Sequence, residues 1–172
     1  MGAVISTISV FHYFLEGLDA LPRILEEGLR PLSDFPESSR WQLIERELRG
    51  FYKDLYERWA RPVLGRPYSS SGIFLTPIDF RQTGIAEMAT RPRLRVPIER
   101  IDPSQAVLTY EWNASRQSRQ LNEEELQRAA ELWDPRAVAE WFGRDRNKLF
   151  YFIPQVIAYQ SRVPVERSDL ET

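Results

Sequence analysis

His12 is the single imidazole in a chain of 172 residues, and histidine is the side chain whose ordinary pKa puts a charge change near neutrality. One imidazole can serve as a base, as a hydrogen-bonding group for a ribose or carbonyl, or as the middle member of a Ser/His/Asp relay. It cannot supply the histidine pairs that zinc motifs use. No serine stands in a G-x-S-x-G elbow, and there is no Walker loop, no glycine fingerprint behind a strand and no EF-hand loop. With no cysteine the chain has no disulfide, thiolate metal site or cysteine nucleophile. No metal cofactor is expected. A lone histidine at a strand end is commonly a satisfied boundary residue, so His12 gains a role only through its neighbours.

Other chemistry-bearing residues have ordinary explanations beside functional ones. Arg91, Arg93 and Arg95 alternate, as residues on one strand face do, and could line an anion site; a solvated face with Leu94, Val96 and Ile98 turned inward explains them more simply. Arg116 and Arg119 fall in a polar stretch that could grip a phosphate or simply be surface. Ser69, Ser70 and Ser71, with Tyr68 beside them, could offer hydroxyls and backbone N–H groups to a phosphate, though serines in loops usually supply turns. Glu111, at the end of a β-rich run, is a carboxylate that could serve as a base, though a surface strand residue explains it more simply.

The elements that must position these residues follow from pattern. Val4 to Phe14 is rich in β-branched and aromatic residues and predicts a strand that carries His12 near its end. Leu18, Leu21, Ile24 and Leu25 have helical spacing, with Asp19 as N-cap, Pro22 in the first turn and Gly28 as terminator. From Trp41 to Trp59 an apolar residue recurs every three or four positions, which predicts a long amphipathic helix, started by Ser39 with Gln42 and stopped by Pro62. Ile73 to Thr76 predicts a short strand closed by Pro77. Arg93 to Glu99 and Ala106 to Trp112 predict two neighbouring strands. Asn113 to Leu121 is polar and predicts a loop. Asn122 with Glu125 opens a helix through Trp133, and Asp134 with Pro135 opens another through Phe142 that Gly143 ends. Lys148 to Tyr159 predicts a central strand with Pro154 at its entry, a bulge or an edge. Residues 166–172 read as a polar tail that frays.

The order of these pieces is a strand ending in His12, Tyr13 and Phe14, a short helix through Ile24-Leu25-Glu26-Glu27 closed by Gly28, and the continuation Leu29-Arg30-Pro31. Then come Ser71-Gly72-Ile73-Phe74-Leu75-Thr76 and, much later, Pro154-Gln155-Val156-Ile157. This order resembles the ADP-ribosyltransferase-like superfamily. The resemblance implies NAD bound in a cleft between two small sheets. A histidine ends the family's first strand, an aromatic lies in a Gly-Ile-aromatic strand, and an acidic or polar residue begins a late strand; these positions match His12, Phe74 and Gln155. It implies that His12 hydrogen-bonds the ribose of the nicotinamide half, that Phe74 stacks on the nicotinamide ring, and that Tyr13, Ser71 and Gly72 border the nucleotide. Two departures weaken the implied chemistry. Phe74 stands for a tyrosine and lacks its hydroxyl, and Gln155 stands for the catalytic glutamate and cannot ionise to support an oxocarbenium-like centre.

Composition bounds the rest. Hydrophobic residues at 42% and charged residues at 28% are the balance of a globular chain with a packed core. The reading is one α+β domain over residues 1–165, a long amphipathic helix on a small, mostly antiparallel sheet that can be split in two. The N-terminal residues lack a basic region and a cleavage site, and no run of about 18 apolar residues offers a membrane span; a reducing, cytoplasmic setting is expected. The net charge of -2 supplies no global field for nucleic acid. Lys53 and Lys148 are the only lysines, an arginine bias that codon usage in a GC-rich genome explains without a binding site. Two functions compete: a nucleotide-binding domain of the resembled kind, for NAD or ADP-ribose, active or degenerate; and a non-catalytic domain that binds a protein or a second copy of itself through its aromatic residues, 12% of the chain.

Overall fold

The computed structural model describes residues 8–15, 17–38, 42, 46, 50, 53–54, 56–66, 72–110, 117–144 and 153–172. Among them β1 (Ser9–Tyr13) leads through a turn to α1 (Leu21–Glu27), and a π-helical turn (Tyr56–Ala60) runs directly into α2 (Arg61–Leu64). Then follow β2 (Ile73–Leu75), α3 (Ala86–Ala89), β3 (Arg93–Pro97), β4 (Ala106–Tyr110), β5 (Gln117–Gln120), α4 (Glu123–Glu131), α5 (Pro135–Arg144), β6 (Gln155–Ala158) and β7 (Leu170–Glu171). The fold is α+β, with two open sheets: a three-stranded one ordered β1-β3-β7 and a four-stranded one ordered β2-β6-β4-β5. Strand pairing within both is antiparallel.

Strands β1 and β2 are the edges of their sheets, and they meet at a single bridge between Phe11 and Thr76. The main core joins the two sheets: Val10, Leu94 and Val96 from the first, Leu75, Leu108 and Val156 from the second, and Ile24 from α1. β4 and β6 are buried along their whole length, because the opposite face of the second sheet is also covered, where Tyr56, Trp59 and Ala60 pack on Val107 and Ile157.

Several expectations need correction. Pro62 does not stop the helix: it takes a first-turn position of α2, where its missing N–H is no loss, and Gly65 in the left-handed conformation (φ 66°) ends it. The rest of the predicted long helix lies mostly outside the described residues, as do Ser39 and Trp41; Tyr56 and Trp59, offered as possible interface aromatics, are core. Helix α1 begins after Ala20 without a side-chain cap, so Asp19 does not cap it. β3 and β4 are not neighbours but belong to different sheets. Gln117–Gln120 is a strand, not a loop; it is the exposed edge beside β4, and its polar composition conceals it. Helix α5 runs on through Gly143 to Arg144. Residues 166–172 do not fray: Glu166 and Asp169 form a reciprocal capping box, Asp169 takes two hydrogen bonds from Arg100, and β7 pairs with β3. Asn122 and Asp134 cap their helices as expected, each accepting from a backbone N–H of the first turn. No helix among the described residues is long and apolar enough to cross a membrane.

Candidate functional site

The bridge between two edge strands creates the site. Phe11 and Thr76 hold β1 and β2 together at one point, with no further pairing between the two strands among the described residues, and a cavity opens beside them. In a strand successive side chains alternate between faces, so Phe11 and Tyr13 turn one way and His12 the other. His12, Tyr13, Gly72, Phe74 and Gln155 all contribute to the wall of one cavity of about 360 Å³. Ser71, grouped with them from the sequence, lies outside the described residues. So do Tyr68, Ser69, Ser70, Glu111 and Arg116.

Each of these residues has a local reason for its place. His12 is half-buried, stands edge-on to Phe14 with 5.1 Å between ring centroids, and hydrogen-bonds the Phe74 backbone. Burial lowers its pKa from 6.5 to about 4, and the bond to Phe74 opposes this only in part. The imidazole is therefore neutral at physiological pH and suited to giving or taking a hydrogen bond rather than to carrying charge. Gly72 has no room for a side chain, since a Cβ there would come within 2.3 Å of Ile157 Cγ2. Phe74, partly exposed, is on the opposite face of β2 from the core residues Ile73 and Leu75. Thr76 is buried; its hydroxyl donates to the Pro154 carbonyl at 2.9 Å and accepts from Ile78 N–H at 3.2 Å, which ties β2 to the entry of β6.

Gln155 opens β6 and is 2% exposed, and its Nε2 has no hydrogen-bond partner among the described residues. An unmet buried donor is unfavourable by about 1–3 kcal/mol, so its persistence beside a cavity marks a group that an acceptor could satisfy. Tyr13 borders the cavity but its hydroxyl is committed elsewhere: it donates to Ile78 O at 3.2 Å and accepts from Phe80 N–H at 2.9 Å and from Arg93 Nη1 at 3.0 Å. Burial, opposed by these donors, raises its pKa.

In the arginine series Leu94 and Val96 are core and Arg95 is solvated, as the simpler reading has it, but Arg93 fits neither reading. Arg93 is 2% exposed, with Asp79 at 2.5 Å from Nη1 and Glu171 at 2.5 Å from Nε, and it lies over the Phe11 ring. Arg95 is exposed and pairs with the same Glu171, and Arg91 stands before β3 and donates to the Leu15 carbonyl. Each of the three thus has a partner within the protein, a carboxylate for Arg93 and Arg95 and a backbone carbonyl for Arg91. Although burial alone would raise them, the arginines hold the Asp79 and Glu171 carboxyls below their usual range. Arg119, on β5, is exposed and hydrogen-bonds Gln117.

The sequence gives no sign of the cations on the cavity wall, Arg23 and Arg30, or of the Phe35 ring that both lie over. In sequence Arg23 looks like any solvated residue of a short amphipathic helix, and nothing marks Phe35 as its partner. Among the described residues no Asp or Glu lines the cavity, and no three His, Asp or Glu side chains gather where they could hold a metal ion. The wall is thus mainly apolar and aromatic, with a neutral imidazole, an unmet amide donor and cationic groups. Such a wall is chemically suited to a flat, partly apolar ligand with an anionic group. No family model, curated protein or solved structure matches the chain.

Proposed function

We propose that this protein is an ADP-ribosyltransferase-like nucleotide-binding domain whose cleft takes NAD or an ADP-ribose compound, and that it binds the nucleotide better than it cleaves it. The observation that carries this reading is the convergence of His12, Phe74 and Gln155, far apart in sequence, on one cavity at the junction of two small sheets. In this reading the neutral His12 hydrogen-bonds the ribose and the Phe74 face receives the nicotinamide ring. Gln155 donates a hydrogen bond where the family uses a carboxylate. The absence of an acidic group from the described wall removes the charge that would support a developing oxocarbenium ion.

Thermal unfolding with NAD or ADP-ribose tests the proposal. A ligand that binds only the folded chain at a hundred times its Kd stabilises it by about 2.7 kcal/mol, a clear rise in Tm. An unmoved transition at millimolar concentration of either compound overturns the reading.

A further inference from the structure

Arg23 and Arg30 both line the cavity and both lie over Phe35, but they differ in what their N–H groups do. Arg30 spends its donors within the protein, Nη1 to Glu27 and Nε to Asp34, each at 2.9 Å. Arg23 lies over the ring, with its guanidinium carbon 3.7 Å from the centroid, and has no carboxylate partner among the described residues. Stacking uses the face of a guanidinium and leaves its five N–H donors free in the plane, already oriented by the ring beneath. Across the described wall there is no acidic side chain to compete for them.

We infer that Arg23, held on Phe35, is the anchor for a phosphoryl anion, so that the ligand lies with its phosphates at the α1 wall and an uncharged, acceptor-bearing group at Gln155. The inference deepens the nucleotide reading and rests on it for the identity of the ligand, while the anion anchor is a property of Arg23 alone. Two features support this polarity. The unmet Nε2 of Gln155 calls for an acceptor at the β6 end, and the free in-plane donors of Arg23 call for a planar or tetrahedral oxyanion at the other. A lysine at position 23 would keep the charge but lose the fork and the stack.

The experiment uses the full chain as wild type, R23Q and R23K. Calorimetry measures the affinities of ADP-ribose and adenosine, and ¹H–¹⁵N spectra of the arginine Nε–H region follow titration with inorganic pyrophosphate. The expected result is that R23Q weakens ADP-ribose at least tenfold, R23K weakens it less, and adenosine is unaffected by either. Pyrophosphate should move the Arg23 Nε–H resonance of the wild type. Equal affinity of wild type and R23Q for ADP-ribose would overturn the inference and leave the nucleotide reading standing. An equal loss of adenosine binding in R23Q would also overturn it, because Arg23 would then be acting through packing. If NAD and ADP-ribose fail to bind but pyrophosphate still moves the Arg23 resonance, the nucleotide reading falls and the anion anchor stands; if nothing binds, both fall.

Discussion

Phe11 and Thr76 exchange both of their backbone hydrogen bonds, at 2.8 Å and 2.9 Å, and so fasten the edge of one sheet to the edge of the other. His12 follows Phe11 directly, and Phe74 precedes Thr76 by one strand repeat. The cleft geometry therefore depends on this pair and on what holds Thr76 in place.

Thr76→Val keeps the shape of the side chain and removes its hydroxyl. The Pro154 carbonyl and the Ile78 N–H then lose a buried partner, which should destabilise the fold by about 1–3 kcal/mol. Urea unfolding should show a lower midpoint with an unchanged slope. Because Pro154 leads into Gln155, the nucleotide reading adds that the variant should bind NAD more weakly under conditions where it remains folded.

Stability should rise with pH across the His12 titration. The folded pKa is lowered to about 4 from 6.5, so between these values the unfolded chain binds the extra proton. The stability that neutral His12 provides is complete above about pH 6.5 and is lost as pH falls toward 4. Because the ring is only half-buried, the contribution should be on the order of 2 kcal/mol. Unfolding free energies of wild type and His12→Gln between pH 4 and 7.5 check this. The wild type should gain on the variant as pH rises, whereas the acid sensitivity of Asp79 and Glu171 is common to both proteins and cancels.

Gln155→Glu tests whether the cleft lacks only a carboxylate. Under the nucleotide reading, wild type should release nicotinamide from NAD at a negligible rate, and the variant about tenfold faster or more, since a preorganised charge at the reacting centre acts only in the transition state. His12→Ala should weaken NAD binding in both backgrounds. The assay is nicotinamide release over hours, and strong wild-type turnover that survives His12→Ala would place the chemistry elsewhere.

Arg93→Met should be severely destabilising, by about 3 kcal/mol, because Asp79 would lose its arginine and Glu171 would keep only the more exposed Arg95 and Arg81. Adding Asp79→Asn to the variant should recover part of the loss, which a double-mutant cycle in urea would read. Arg93→Lys should not restore wild-type stability, as an ammonium cannot reproduce the divided contacts to Asp79, Glu171 and Tyr13 or the stack on Phe11.

What was legible in the sequence was whatever depends on local chemistry. Alternation and β-branching announce β2 and β4, and Asn122 and Asp134 mark helix starts because an N-cap is a hydrogen bond between near neighbours. The assortment of strands into two sheets is not local: β3 and β4 are close in sequence, yet each pairs with strands from distant parts of the chain. The burial of Arg93 is hidden for the same reason. A charged residue between apolar ones looks solvated unless Asp79 and Glu171 are known to converge on it. On the cavity wall, His12, Phe74 and Gln155 can be grouped from the order of the strands that carry them, while Arg23 has no signal because its distinction is a ring partner on a separate turn.

The place of β7 at the edge of the first sheet has a consequence for the newly made chain. Glu171 completes the charge balance of Arg93, and the β7 backbone completes the pairing of β3, yet both emerge from the ribosome some 78 positions after the arginine they serve. Until then β1 and β3 can pair, but Arg93 would be enclosed with only Asp79 as counterion. The first sheet should therefore reach its native packing only after release of residue 171, and nascent chains stalled short of that point should remain open to protease at β3 while longer ones resist it.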